Sequence, residues 1–159
     1  MTSQTYKLVR LADLVERVES GVSVRSHNEP AGHDEKGVLK VSAVIGGRFH
    51  PAENKRIRAD DLWRAATHPV AGCTLVSRAN TLALVGEVGF VEHSRTDVYL
   101  PDKLWQLHPK RDVVDPFWFS LLLASPLVRD SARLNATGTS QSMKNISQSA
   151  YLRTIVPVP

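Results

Sequence analysis

The spacing of apolar residues changes twice along the chain. At the N-terminus, apolar residues at helical intervals predict a helix over 8–20 that ends at Gly21, after a short strand at 6–10. In the last third, Asp115 and Ser125 each precede a proline and predict two helix starts, before a final helical turn at 148–152. Between them, short apolar runs separated by turn residues predict a brief helix at 60–66 and strands at 37–44, 48–50, 73–77, 81–85, 89–92, 97–100 and 104–108.

This order of elements predicts an α+β fold. We expect a curved, mixed or antiparallel β-sheet flanked by an N-terminal helix and by C-terminal helices. The 159 residues suit a single domain, 1–159, because a chain of this length can bury a core of its own.

The composition narrows the class of protein. Hydrophobic residues make up 42% of the chain and charged residues 23%, values that are typical of folded domains and not of disordered ones. No apolar run approaches the roughly 18 residues of a membrane span, and the first seven residues lack the apolar block of a signal peptide. The single cysteine, Cys73, excludes an internal disulfide. We therefore expect a cytoplasmic protein.

The basic residues are concentrated in two segments. Residues 36–58 hold six lysines and arginines against one acid, Glu53, and residues 131–159 hold three against none. After folding, two such segments can form one positive face, which is typical of polyanion-binding proteins. A basic surface without a partner is the alternative, because a net charge of +4 is modest.

The sequence contains no self-sufficient active site. Its six histidines lack the spacing of a metal-binding motif, so surface positions explain them better than a metal site. Cys73 lies in a predicted buried strand, where a small apolar role is more common than a nucleophilic one. Neither a GxSxG nucleophile motif nor a phosphate-binding glycine loop is present.

A polar segment at 136–146, which we predict to be a loop, is the strongest candidate for a binding site. Hydroxyl, amide and lysine side chains donate to phosphates, and amides also pair with base edges. The alternatives are a turn that caps the preceding helix or a brace for a following one. The candidate DNA contacts are Thr139, Ser140, Gln141, Ser142, Lys144 and Asn145.

Two further groups of residues are candidates for DNA contact. Lys40 and Ser42 share one face of the predicted strand at 37–44. Arg78 and Asn80 lie at the tip after the strand at 73–77, where base contact and a purely structural turn remain open. Basic residues that we expect to contact phosphate are Lys55, Arg56 and Arg58.

The C-terminal segment resembles the end of a target-recognition domain from the specificity (S) subunits of type I restriction–modification systems. The resemblance rests on Thr137-Gly-Thr-Ser-Gln-Ser-Met-Lys-Asn-Ile-Ser147, which is followed by Leu152 and by the proline-containing run at 155–159. It extends over nearly the whole chain. Segments that agree with the family in type and order are 11–21, 38–47, 70–80 with 84–86, and 115–126.

The resemblance implies a non-enzymatic protein that recognises one short half of a split target in double-stranded DNA. It implies modification (methyltransferase) and restriction subunits as partners, which would carry the chemistry and its S-adenosylmethionine, ATP and Mg²⁺. A full S subunit joins two such domains by long conserved helices. This chain is expected to hold one domain without the spacer helix that normally follows. An interaction module that keeps the fold and binds modification subunits, but has lost specific DNA binding, is the alternative; an enzyme is a weaker third.

Overall fold

Residues 4–159, which the computed structural model describes, form four β-sheets and a helical segment near the C-terminus. The helices are α1 (Pro116–Ala124), α2 (Pro126–Asn135) and α3 (Gln148–Leu152). In chain order the strands are β1 (Lys7–Arg10), β2 (Val15–Ser20), β3 (Gly37–Leu39), β4 (Val44–Ile45), β5 (Gly47–Phe49), β6 (Asn54–Arg56), β7 (Thr74–Ser77), β8 (Ala79–Asn80), β9 (Val88–Phe90), β10 (Val98–Tyr99), β11 (Leu104–Pro109), β12 (Thr137–Ser140), β13 (Met143–Asn145) and β14 (Ile155–Val158).

The largest sheet has six strands in the order β2-β11-β7-β9-β5-β4. Because side chains alternate along a strand, the sheet separates two apolar clusters. Val76 and Leu107 pack with Phe119 of α1 and Tyr151 of α3 on one side. Leu75 belongs to the cluster on the other side, together with Leu39, Leu100 and Leu104.

The three remaining sheets are small, with two or three strands each. β1 pairs with β14, which brings the two ends of the described chain together. β3 lies between β10 and β6, and the third small sheet has the order β12-β13-β8. None of the described helices is long and apolar enough to cross a membrane.

The two predicted helix starts are confirmed, with different capping. Asp115 Oδ1 accepts a hydrogen bond from the backbone nitrogen of Trp118 at 2.8 Å, with Pro116 as the first residue of α1. Ser125 instead donates from Oγ to the carbonyl of Leu122 at 2.6 Å, so its side chain caps the end of α1 and not the start of α2.

The α+β fold class is confirmed, but the predicted N-terminal helix is wrong. Residues 8–20 instead form most of β1, a 3-10 turn at Leu11–Leu14 and β2. Pairing with a distant strand decides this, because Val18 lies opposite Leu107 in β11. Gly21 ends no helix; a Cβ there would collide with the carbonyl oxygens of Leu100 and Pro101.

Three other predicted elements also differ. The strand at 37–44 is interrupted by a 3-10 turn at Val41–Ala43. The helix at 60–66 is one 3-10 turn at Leu62–Arg64. Residues 81–85 form a turn and no strand, in which the Thr81 carbonyl accepts hydrogen bonds from two backbone nitrogens.

Candidate nucleic-acid interface

The polar segment predicted as a loop is a β-hairpin made of β12 and β13. Thr137 lies opposite Asn145, and Ser140 opposite Met143. Gly138 has φ 131°, and a Cβ there would lie 2.7 Å from the Met143 carbonyl oxygen, so only glycine fits without strain. The hairpin is therefore an ordered element.

The candidate side chains at the tip of the hairpin are exposed, namely those of Thr139, Ser140, Gln141 and Ser142. Ser140 Oγ contacts Ser142 Oγ at 2.6 Å and accepts a hydrogen bond from the Ser142 backbone nitrogen at 3.1 Å. Lys144 is half-buried and donates from Nζ to the Gly138 carbonyl at 2.6 Å. The tip of the hairpin is thus its accessible part.

Strand β8 joins the hairpin to the second candidate region. Asn80 lies opposite Lys144, and Ala79 opposite Asn145. The Leu82 backbone nitrogen also donates to the Gln141 carbonyl at 3.2 Å. The structure thus brings Arg78 and Asn80 together with the hairpin, although the two segments lie far apart in sequence.

Within this sheet, the side chain of Asn80 forms hydrogen bonds with neighbouring residues of the same turn. Its Nδ2 donates to Ser77 Oγ at 3.3 Å, and its Oδ1 accepts from the Thr81 backbone nitrogen at 2.8 Å. Both ends of the carboxamide are therefore engaged by the turn. A role for Asn80 in base contact stays a prediction.

Arg78 is held by contacts with two segments, at Asp102 and at Asn145. Its Nε donates to the Asp102 carbonyl at 2.6 Å, Nη1 contacts Asn145 Oδ1 at 3.5 Å, and Nη2 lies 3.7 Å from Asp102 Oδ2. The side chain remains 28% exposed. These contacts thus fix the orientation of a guanidinium that is still partly exposed.

The segment 101–103, which contacts Arg78, also lines a groove that we call the lysine groove. The groove has a volume of about 400 Å³, and its polar lining consists of Ser23, Lys40, Ser42, Lys55, Asp102 and Lys103. Lys103 was not recognised from the sequence. Its backbone carbonyl accepts a hydrogen bond from the Arg78 nitrogen at 3.1 Å, a contact between distant segments that no local pattern indicates.

Lys40 and Ser42 do not share a strand face as predicted, because β3 ends at Leu39 and Ser42 lies in the 3-10 turn, but both contact one carboxylate. Glu53 Oε2 accepts from Lys40 Nζ at 3.1 Å and from Ser42 Oγ at 3.0 Å. The hydrogen bond from Lys40, followed by that from Ser42, lowers the pKa of the Glu53 carboxyl. This carboxylate partly neutralises the Lys40 end of the groove.

Arg56 and Arg58 do not line the groove with Lys55. Successive side chains of a strand point to opposite faces, so Lys55 and Arg56 diverge. Arg56 forms ion pairs with Glu29 and with Glu35, and the hydrogen bond to Arg56 lowers the pKa of Glu29. Arg58 pairs with Asp60 at 3.3 Å. Their predicted contact with phosphate stays untested, and their charges are already matched by acids.

We define the candidate interface as the hairpin 137–145, the Arg78–Asn80 segment and the lysine groove. Five cationic side chains occupy it, those of Lys40, Lys55, Arg78, Lys103 and Lys144, against the carboxylates of Glu53 and Asp102. Cations therefore outnumber acids across a surface that combines a groove with an exposed hairpin.

Cys73 lies in a row with a histidine and a carboxylate. Its Sγ is 3.3 Å from His108 Nδ1, while His108 Nε2 contacts Glu19 Oε1. Burial raises the pKa of the Cys73 thiol to about 11, and the side chain is inaccessible. A nucleophilic cysteine needs a lowered pKa and access, so this row carries no sign of catalysis. Among residues 4–159, no group of three or more histidine, cysteine or acidic side chains is placed to hold a metal.

A second, larger groove of about 830 Å³ runs beside α1. Its lining includes Phe90 and Phe117, whose rings are in edge-to-face contact with centroids 5.4 Å apart, and the charged residues Arg48 and Glu92. It shares no lining residue with the lysine groove.

Comparison with known proteins relates the chain to specificity subunits. No family model matches it. The type I restriction enzyme EcoEI specificity subunit of Escherichia coli is 29% identical over 140 residues, which cover 87% of this chain and 24% of that protein. The chain therefore spans about a quarter of the length of this curated relative.

Solved structures show the same fold. The HsdS subunit from Thermoanaerobacter tengcongensis superposes with a TM-score of 0.67 at 15% identity, covering 99% of this chain and 38% of that one. The S subunit of the type I restriction–modification system from M. genitalium gives 0.65 at 11% identity, covering 99% and 35%. These similarities confirm the resemblance to specificity subunits that the sequence motifs indicated.

Proposed function

We propose that this chain is a target-recognition domain that binds a specific sequence in double-stranded DNA on behalf of a type I restriction–modification complex. The observation that carries the proposal is the meeting of Arg78, the hairpin 137–145 and the lysine groove on one surface. The resemblance to specificity subunits supports the choice of DNA as the polyanion.

The parts of the interface have different roles in this proposal. Lys55 and Lys103 contact phosphates, which gives affinity without sequence preference. A two-stranded ribbon fits the major groove of B-DNA, so the exposed tip of the hairpin lies against base edges there. Phosphate contacts set the position of the domain, and side chains at base edges select the sequence.

The proposal assigns the chemistry to partners. Modification and restriction subunits would supply S-adenosylmethionine, ATP and Mg²⁺ chemistry, and a second recognition domain would bind the other half of a split site. This chain would then transfer no methyl group and cut no DNA when assayed alone.

Titration of a labelled duplex of mixed sequence tests the proposal. Fluorescence anisotropy should show binding whose affinity falls steeply as salt rises from about 50 to 200 mM, because phosphate contacts release counterions. The same preparation is then mixed with modification subunits in a pull-down. Capture of those subunits together with no salt-dependent DNA binding would favour the interaction module over a DNA-recognition domain.

A further inference from the structure

One acidic side chain stands out on the candidate interface. Asp102 lines the groove together with Lys40, Lys55 and Lys103, and its side chain is 48% exposed. A carboxylate facing a phosphate would be repelled, which weakens a surface that serves only for backbone contact. The position of Asp102 is better explained if its carboxylate accepts a hydrogen bond from a donor on the DNA.

The geometry of Arg78 depends on the same residue. The backbone carbonyl of Asp102 accepts a hydrogen bond from Nε at 2.6 Å. Nη1 has a long contact of 3.5 Å with Asn145 Oδ1, but each terminal nitrogen carries two N–H groups, so Nη1 and Nη2 both retain a donor. Asp102 Oδ2 lies 3.7 Å from Nη2, which is an ion-pair distance beyond hydrogen-bond range. The two side chains therefore present two nitrogen donors and one oxygen acceptor next to each other.

Such a set of groups matches the major-groove edge of a G·C base pair. Guanine presents the acceptors O6 and N7, and cytosine presents the donor amino group at N4. O6 and N4 are hydrogen-bonded to each other, so they lie about 2.9 Å apart. An adjacent donor and acceptor in the protein can therefore contact both bases of one pair.

We propose that Arg78 and Asp102 together recognise one G·C base pair in the target DNA. This inference rests on the proposed function. Arg78 donates from its two terminal nitrogens to guanine O6 and N7, and Asp102 accepts from cytosine N4. The pair also excludes A·T, because Arg78 would meet the N6 amino donor of adenine and Asp102 the O4 acceptor of thymine.

Selection from random duplexes compares the unaltered chain with Asp102→Asn and with Arg78→Lys. Asp34→Asn is the matched control for loss of one negative charge, because Asp34 is exposed and lies outside the interface. The unaltered chain and Asp34→Asn should share one motif that contains a fixed G·C pair. Asp102→Asn and Arg78→Lys should lose preference at that pair by about tenfold and keep it elsewhere.

A second measurement needs no variant and so does not depend on whether a variant folds. In the selected duplex, guanine at the assigned pair is replaced by 7-deazaguanine, which removes N7 and preserves base pairing. The affinity should fall about tenfold for this replacement and stay unchanged for replacement at other guanines that the motif does not fix.

Two results would overturn the inference. The first is a motif without a fixed G·C pair, or a motif that both Asp102→Asn and Arg78→Lys leave unchanged while the 7-deazaguanine duplex binds with normal affinity. Either observation would contradict recognition of a G·C pair by Arg78 and Asp102 but would leave DNA recognition intact. Failure of the unaltered chain to enrich any motif removes the proposed function as well, so the two failures are distinguishable.

Discussion

Asn80 and Lys144 lie opposite each other in the antiparallel pair formed by β8 and β13. Lys144 in turn donates to the Gly138 carbonyl, and the Ile146 nitrogen donates to the Arg78 carbonyl at 2.9 Å. The backbone of the hairpin therefore fixes the strand that follows Arg78. A substitution that distorts the hairpin should therefore also change the position of Arg78.

Gly138→Ala tests whether the hairpin depends on this backbone. The positive φ and the close Met143 carbonyl make alanine strained, at a cost of about 1–3 kcal/mol. Amide hydrogens of β13 should exchange faster and DNA affinity should fall. Gly32→Ala is the control, because a Cβ there meets only the flexible end of Glu35. Unchanged exchange in β13 would show that the hairpin does not adopt this geometry.

The salt dependence of DNA binding should separate two pairs of basic residues. Lys55→Ala with Lys103→Ala should reduce the slope of log affinity against log salt by about 2, since each phosphate contact contributes about 0.9. Arg56→Ala with Arg58→Ala is the matched double variant, whose side chains are paired with acids. We expect it to change the slope by less than half as much. An equal reduction in both would mean that Arg56 and Arg58 contact phosphate too.

Cys73 should react slowly with iodoacetamide in the folded protein. Burial raises its pKa from 9.0 to about 11, so at pH 8 the thiolate fraction is about a hundredfold smaller than in the unfolded chain. Inaccessibility of the side chain slows the reaction further. Mass spectrometry should show complete labelling in urea and little without it. Equal rates in the two conditions would contradict the buried position.

Asp61 should make stability depend on pH in the acid range. A hydrogen bond from the Arg25 backbone nitrogen at 2.6 Å, aided by the Arg64 and Arg25 charges, holds the pKa of this carboxyl below its ordinary 3.8. Because the folded pKa is the lower one, the stabilisation is present above about pH 4 and is lost as pH falls through the folded pKa.

Thermal melting of Asp61→Asn measures this contribution. The variant should melt below the unaltered chain at pH 7, and the two melting temperatures should converge as pH falls below the ordinary 3.8. Asp34→Asn, at an exposed position, should show no such difference. A constant gap between Asp61→Asn and the unaltered chain at every pH would show that Asp61 acts through packing and not through its charge.

Local signals predicted some elements from the sequence, and contacts between distant segments decided the others. Asp115 and Pro116 lie next to the helix they begin, so α1 was predictable. The segment 8–20 has helical spacing, but the pairing of Val18 with Leu107 makes β2 a strand, and no local pattern contains that pairing.

The candidate interface shows the same division. Residue types indicated the polar segment and Lys55 as candidates, because short polar and cationic side chains in acid-poor segments favour contact with DNA. Arg78 was a candidate because arginine pairs with guanine. Residue types did not indicate Asp102 or Lys103. These residues join the candidate interface only because their backbone carbonyls accept hydrogen bonds from Arg78, a contact between distant segments. Arg56 has the same charge as Lys55, and only the strand geometry separates them.

Selection of random duplexes on the immobilised chain, followed by sequencing of the retained pool, tests the central claim most directly. If Arg78 and the hairpin 137–145 recognise bases while the lysines bind phosphate, one short motif should dominate the pool, and binding to it should exceed binding to a shuffled duplex by about 10³-fold or more. A pool that stays random, from a folded chain, would contradict sequence recognition by this surface.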